Sequence, residues 1–290
     1  QDLSRRQCHA PLPRSDRMTK DLAASVRARL LNIAKSEGSN FNQLLVRYAL
    51  ERFLYRLSQS AHADRFLLKG ALLFTLWYDM PHRPTRDADL LGFGPSDLQS
   101  IAQTFRDIAS IPVDDGITFD PESVTAEDIR KEAGYAGARI VITGELAKAR
   151  CKTQIDIGFG DAVTPGPVQS EYPVLLKDFP APRLRTYPVY TVISEKLHAI
   201  ALLGMTNSRV KDYLDLWVML DRESLNMNTL AQAISATFTR RGMAGGGKLF
   251  AIQTGKWRIR NLANNNIDDL PHTRRYIRVC FKNHSVNSLN

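Results

Sequence analysis

Phe66-Leu-Leu-Lys-Gly-Ala-Leu-Leu-Phe74, followed after a short loop by Arg86-Asp-Ala-Asp-Leu-Leu91, decides how this chain is read. A glycine opens an apolar segment, and an Asp-x-Asp pair then lies on a short segment that reads as a strand. Strand side chains alternate between faces, so Asp87 and Asp89 point one way while Ala88 and Leu90 point into a core. Two adjacent carboxylates repel each other unless a cation lies between them. Hard oxygen donors with room for water and phosphate suit Mg²⁺. A glycine turn nearby brings backbone N–H groups close to a phosphate. Leu90, Leu91 and Phe93 make the strand largely buried, which argues against two merely solvated carboxylates. Together these are the parts of a metal-dependent nucleotidyl-transfer site.

Asp156 lies in Gln154-Ile-Asp-Ile-Gly158, and alternation sets it on the face opposite Ile155 and Ile157. Beside an Asp-x-Asp strand, a third carboxylate allows two Mg²⁺ ions, or one metal and a base, as in-line displacement at phosphorus needs. Lys196, in Ser194-Glu-Lys-Leu-His-Ala-Ile200, adjoins an apolar stripe of Ile193, Leu197, Ile200 and Ala201. It reads either as a surface lysine or as a point charge for a triphosphate. Asp212 and Asp215 share one helix face, with Arg209 and Lys211 as candidate ion-pair partners. Gly92-Phe-Gly94-Pro95 lacks the third glycine of a dinucleotide fingerprint and reads as a turn. Asp114-Asp115-Gly116 is likewise a turn and not a metal site.

With 290 residues, 43% of them apolar, the chain can build one large domain or two small ones. No apolar run approaches membrane-spanning length, and none follows the N-terminal arginines, so neither a membrane anchor nor a signal peptide is expected. Cys8, Cys151 and Cys280 are far apart and lack C-x-x-C spacing, which argues against a disulfide framework or a zinc site and favours a reducing cytoplasm. The six histidines show no metal-binding spacing. The net charge of +9 comes from the ends: four Arg against two Asp in residues 1–17, and nine Lys or Arg against two Asp in 241–290. Residues 18–240 balance 26 basic against 26 acidic side chains, so composition alone does not select a nucleic-acid partner.

The expected organisation is a disordered leader (1–17), an N-terminal helical segment (18–60), a core (61–168), a C-terminal helical region (169–240) and a basic tail that is poorly ordered or foreign to the rest of the chain (241–290). Thr19 or Asp21 is expected to cap the first helix, and residues 41–57 form the second. Residues 66–93 read as helix or turn and then strand, with an exposed loop at Pro81 and Pro84. A helix is expected over 97–110, strands over 117–119, 138–142 and 153–157, and an extended, proline-rich stretch over 171–188. Further helices are expected over 192–203, 210–220 and 230–238.

These motifs resemble, in order, those of the AbiEii/AbiGii toxin family of nucleotidyltransferases, within the DNA polymerase β-like superfamily. The matching text includes Arg83-Pro-Thr-Arg-Asp-Ala-Asp-Leu-Leu91, Gln154-Ile-Asp-Ile-Gly-Phe-Gly-Asp161, Ser194-Glu-Lys-Leu-His-Ala199 and Asn207-Ser-Arg-Val-Lys-Asp-Tyr-Leu-Asp-Leu-Trp217, across residues 19–241. The resemblance implies an α+β fold: a nucleotidyltransferase core with a mixed β-sheet flanked by helices, plus N-terminal helices and a helical C-terminal region. It implies Mg²⁺ on Asp87, Asp89 and Asp156, and an NTP whose phosphates meet Lys69, Gly70, Ala71 and Lys196, with Asp212 facing the cleft. Many superfamily members have Gly-Ser or Gly-Gly where this chain has Gly70-Ala71, which removes a hydroxyl but keeps the backbone N–H. The family includes toxins paired with an antitoxin, and some related members transfer nucleotides to tRNA. The expected function is therefore transfer of a nucleoside monophosphate (NMP) from an NTP to an RNA acceptor, with tRNA as the candidate, by a toxin of a toxin–antitoxin or phage-defence system. Transfer to a protein or small-molecule hydroxyl, or a silent NTP-binding interaction module, are the alternatives.

Overall fold

The structure, a computed structural model, describes residues 14–78, 87–129, 137–203 and 210–243. The expected loop at Pro81 and Pro84, and the expected tail from residue 244, lie outside the described residues. The chain forms two compact units: Gln1–Gly160 with Gln169–Thr186, and Asp161–Val168 with Tyr187–Asn290.

The first unit opens with two helices, α1 (Arg14–Glu37) and α2 (Phe41–Gln59). α1 starts four residues ahead of the expected edge, so neither Thr19 nor Asp21 caps it and residues 14–17 are helical. Pro13 directly precedes it in sequence, where its missing N–H interrupts no helical ladder. Val26, Leu30 and Ala34 are one turn apart and buried. Gly38, at φ 62°, ends α1 and Asn40 starts α2, its side chain accepting from the backbone N–H groups of Asn42 and Gln43.

A seven-stranded mixed sheet follows, in the order β3-β4-β5-β2-β1-β7-β6. Its strands are β1 (Phe66–Lys69), β2 (Asp87–Gly92), β3 (Ile117–Asp128), β4 (Gly137–Leu146), β5 (Ala149–Phe159), β6 (Val168–Glu171) and β7 (Arg183–Thr186). β2 runs antiparallel to β1 and parallel to β5, and β4 is antiparallel to both β3 and β5. Phe66–Lys69 is thus a strand, and the helix α3 (Leu72–Tyr78) begins only after Gly70. Helix α4 (Leu98–Ala109) is capped by Asp97, which accepts from the Ser100 N–H at 2.8 Å. The core joins helices to sheet through aromatics: Phe53 of α2 stacks on Phe105 of α4 at 5.8 Å and meets Phe119 of β3 edge-on at 5.2 Å.

The inner face of α2 also carries charge. Arg56 donates to both carboxylate oxygens of Asp115, at 2.7 and 3.1 Å, with both residues buried. Asp115 does lie at the turn before β3, as its sequence predicts, but the turn is folded inward. Arg52 donates to the Pro180 carbonyl at 2.7 Å, and Glu51 accepts from the Leu175 N–H at 2.7 Å. Arg29 of α1 pairs with Asp178. Together these contacts fasten residues 175–180 to the helices.

The second unit contains α5 (Val189–Leu203), α6 (Val210–Arg222) and α7 (Met227–Arg240). His198 of α5 meets Phe238 of α7 edge-on at 5.1 Å. α7 closes with Gly242 at φ 72° and a bond from the Met243 N–H to the Phe238 carbonyl, so its cap extends past the edge expected at 241. Arg241 donates to Asp161 at 2.9 and 3.2 Å and pairs with Glu195 at 2.9 Å. No helix among the described residues is long and apolar enough to cross a membrane.

Candidate catalytic site

β2 supplies the first two carboxylates. Ala88 and Leu90 are buried while Asp87 and Asp89 are half-buried on the other face, the alternation required of an Asp-x-Asp strand. Register then gathers the rest. Asp89 is the cross-strand partner of Lys69 on β1 and of Asp156 on β5, and Asp156 is the partner of Arg139 on β4. Register partners share a sheet face, so Lys69, Asp89, Asp156 and Arg139 form one row across four strands. Asp87 lies one pleat further along β2, beside Gln154.

Asp89 is fitted against the turn after β1. Gly70 has φ 74°, and a Cβ placed there would come within 2.1 Å of Asp89 Oδ2. Glycine therefore serves twice: it permits the left-handed turn and leaves space for the carboxylate. Ala71 follows at the entry to α3.

Asp156 is held from β4. Arg139 Nε donates to Oδ1 at 2.9 Å and Nη2 to Oδ2 at 2.8 Å, a bidentate fork, and Gln154 Nε2 adds a bond to Oδ1 at 3.2 Å. The hydrogen bonds to Asp156 hold the Arg139 guanidinium above its ordinary pKa, so it is a fixed cation. Sequence reasoning missed Arg139. An arginine interrupting the apolar segment 138–142 was the available signal, but its partner depends on strand register.

Asp87, Asp89 and Asp156 carry hard oxygen donors of the kind Mg²⁺ takes, and Gly70 leaves the recess that seats Asp89. Among the described residues no group of three or more His, Cys, Asp or Glu side chains is placed to hold a metal ion.

In the second unit, Lys196 Nζ donates to Asp212 Oδ1 at 2.8 Å and to Asp215 Oδ2 at 2.7 Å. The lysine side chain is 14% exposed, which removes the surface-lysine alternative. Asp212 and Asp215 therefore find their cation on α5; Lys211 is exposed, and Arg209 lies outside the described residues. Asp215, 1% exposed, is a member of this cluster that the sequence reading left off the candidate set.

An α+β nucleotidyltransferase core with an acidic strand pair is the class these features define. The sequence model described as "Nucleotidyl transferase AbiEii toxin, Type IV TA system" matches residues 52–279, and the chain belongs to that family. The match begins later and ends later than the run of motifs read from the sequence. No curated protein matches the chain. Among solved structures it is similar to JHP933 from Helicobacter pylori, at 16% identity over 65% of this chain and 75% of that one, with a TM-score of 0.41. It is also similar to an antigenic nucleotidyltransferase-like protein from Paracoccidioides brasiliensis, at 11% identity over 68% and 90% of the two chains and a TM-score of 0.41. A third similarity is to the antibiotic-resistance factor ANT(2'')-Ia, at 10% identity over 65% and 91% and a TM-score of 0.37.

Proposed function

We propose that this nucleotidyltransferase transfers a nucleoside monophosphate from an NTP to an RNA acceptor, with tRNA as the candidate, in a Mg²⁺-dependent reaction that a cognate antitoxin restrains. The observation that carries the reading is the carboxylate row on one sheet face, with Asp89 seated against Gly70. A bound divalent ion would supply charge stabilisation at the α-phosphate and lower the pKa of the attacking hydroxyl. Asp87 and Asp89 would hold it, and Asp156 would complete the set or accept the proton of the hydroxyl. Lys69, Gly70 and Ala71 are assigned to the nucleotide phosphates through one cation and two backbone N–H groups. Lys196, in the other unit, keeps the assignment its family motif gives it, a cation for phosphate, with Asp212 and Asp215 holding its ammonium in place. The expected setting is the cytoplasm, and the expected biological role is toxicity or phage defence.

The test is incubation of the full chain with total RNA, total protein and each α-phosphate-labelled NTP in turn, with and without Mg²⁺. Label in RNA only, dependent on Mg²⁺ and on Asp87, supports the reading. Label in protein moves the acceptor to a protein hydroxyl, and label in neither points to an NTP-binding interaction module.

A further inference from the structure

The charged row reaches one strand beyond the candidate ligands. Glu127 on β3 is the register partner of Arg139, so the row reads Glu127, Arg139, Asp156, Asp89, Lys69. Signs alternate along it except between Asp156 and Asp89, adjacent carboxylates on parallel strands about 4.8 Å apart. Like charges in that position are destabilising. Both Asp156 oxygens are taken by the Arg139 fork, and Oδ1 also accepts from Gln154. The Arg139 side chain is 37% exposed and that of Asp156 12% exposed.

We propose that Arg139 is the resident counter-ion of the carboxylate row: it holds Asp156 in the free protein and competes with any divalent ion that would take that carboxylate. Arg139 is thus a positioning residue acting through Asp156, and it sets how tightly the free protein binds metal. This inference rests on the metal-site reading above. Its chemistry follows from competition: a guanidinium and a divalent cation seek the same two oxygens, and the fixed positive charge disfavours a second cation nearby.

The experiment measures Mn²⁺ binding to the full chain without nucleotide, by the loss of free-ion paramagnetic resonance signal. Arg139→Met removes the charge while keeping length, and Arg139→Gln gives the same reading if the first variant fails to fold. Either is expected to tighten Mn²⁺ by about tenfold, from the loss of one unit charge near the site. Arg139→Lys keeps the charge but loses the fork, and its Mn²⁺ affinity is expected to fall between those of the parent and Arg139→Met. In an Asp156→Asn background, Arg139→Met is expected to change affinity by about twofold or less, since the carboxylate they compete for is gone. A merely structural bridge would lower the melting temperature and leave all these affinities alone. Unchanged Mn²⁺ affinity in Arg139→Met and Arg139→Gln, with Asp87-dependent binding intact in the parent, overturns this inference alone. A full tenfold effect persisting in Asp156→Asn overturns the action through Asp156. Absence of any Asp87-dependent Mn²⁺ binding in the parent overturns this inference together with the metal-site reading.

Discussion

Asp89 occupies the space where any residue but glycine at position 70 would carry its Cβ, which would lie 2.1 Å from Asp89 Oδ2. Gly70→Ala should therefore push the Asp89 side chain off its seat as well as strain a backbone held at φ 74°. The strain is expected to cost about 1–3 kcal/mol of stability. Nucleotide transfer should fall at least as far as in Asp89→Ala, and thermal melts with transfer assays on both variants would check this.

Removing either carboxylate of the β2 pair should silence the protein without unfolding it. Asp87→Ala and Asp89→Ala are expected to abolish NMP transfer and growth toxicity. Melting without metal should be unchanged or slightly higher, because each change relieves like-charge repulsion. Full toxicity in both variants would remove the metal-site reading.

Lys196 neutralises two nearly buried carboxylates, so its removal has a structural consequence beyond any loss of phosphate contact. Lys196→Ala is expected to destabilise the protein by about 3 kcal/mol, through the carboxylates left unpaired. Adding Asp215→Asn should restore part of that stability but no transfer activity. Lys211→Ala, at an exposed position, should affect neither. Denaturant melts of the single and double variants separate the two roles.

Glu51 gives the protein a pH response. Burial pushes its carboxyl up to about 7, against the pull of the Leu175 N–H and of Arg52. A folded pKa above the unfolded one means the folded state holds the proton longer. The stabilisation is complete below about pH 4.5 and is lost as pH rises through 7, amounting to roughly 3 kcal/mol at most. Glu51→Gln should flatten the fall in stability between pH 5 and pH 8, as read from denaturation midpoints across that range.

The β4–β5 hairpin turns on Ala147 and Lys148, at φ 46° and 68°. Both adopt a left-handed conformation that favours Asn and Gly. Ala147→Asn with Lys148→Gly is expected to add about 1–2 kcal/mol of stability with transfer unchanged, which a thermal melt and a labelled-NTP assay would show.

Much of the fold was legible locally. Alternation placed Asp87 and Asp89 on one face of β2, periodicity found α2 and α4 to within two residues, and the family's motifs identified the nucleotidyltransferase class. These signals depend on neighbours in the chain, so the chain carries them without its tertiary contacts. The length of β3 and β4 was less legible, because half the positions of β3 are exposed and the Ala-Lys turn that ends β4 gives no glycine signal.

The sequence by itself determined which carboxylates share a strand face and which lysine follows the family motif. Only the tertiary structure decided what those charges touch. The Arg139 fork on Asp156 spans 17 residues, the Lys196 bonds to Asp212 and Asp215 span 16 and 19, and the Arg56 pair with Asp115 spans 59. Each depends on strand register or helix packing, which is set by the burial of apolar faces across the whole core rather than by the residues that pair. An isolated Arg, Lys or Asp carries no mark of its partner, because electrostatic attraction is selected by distance and distance is a property of the fold.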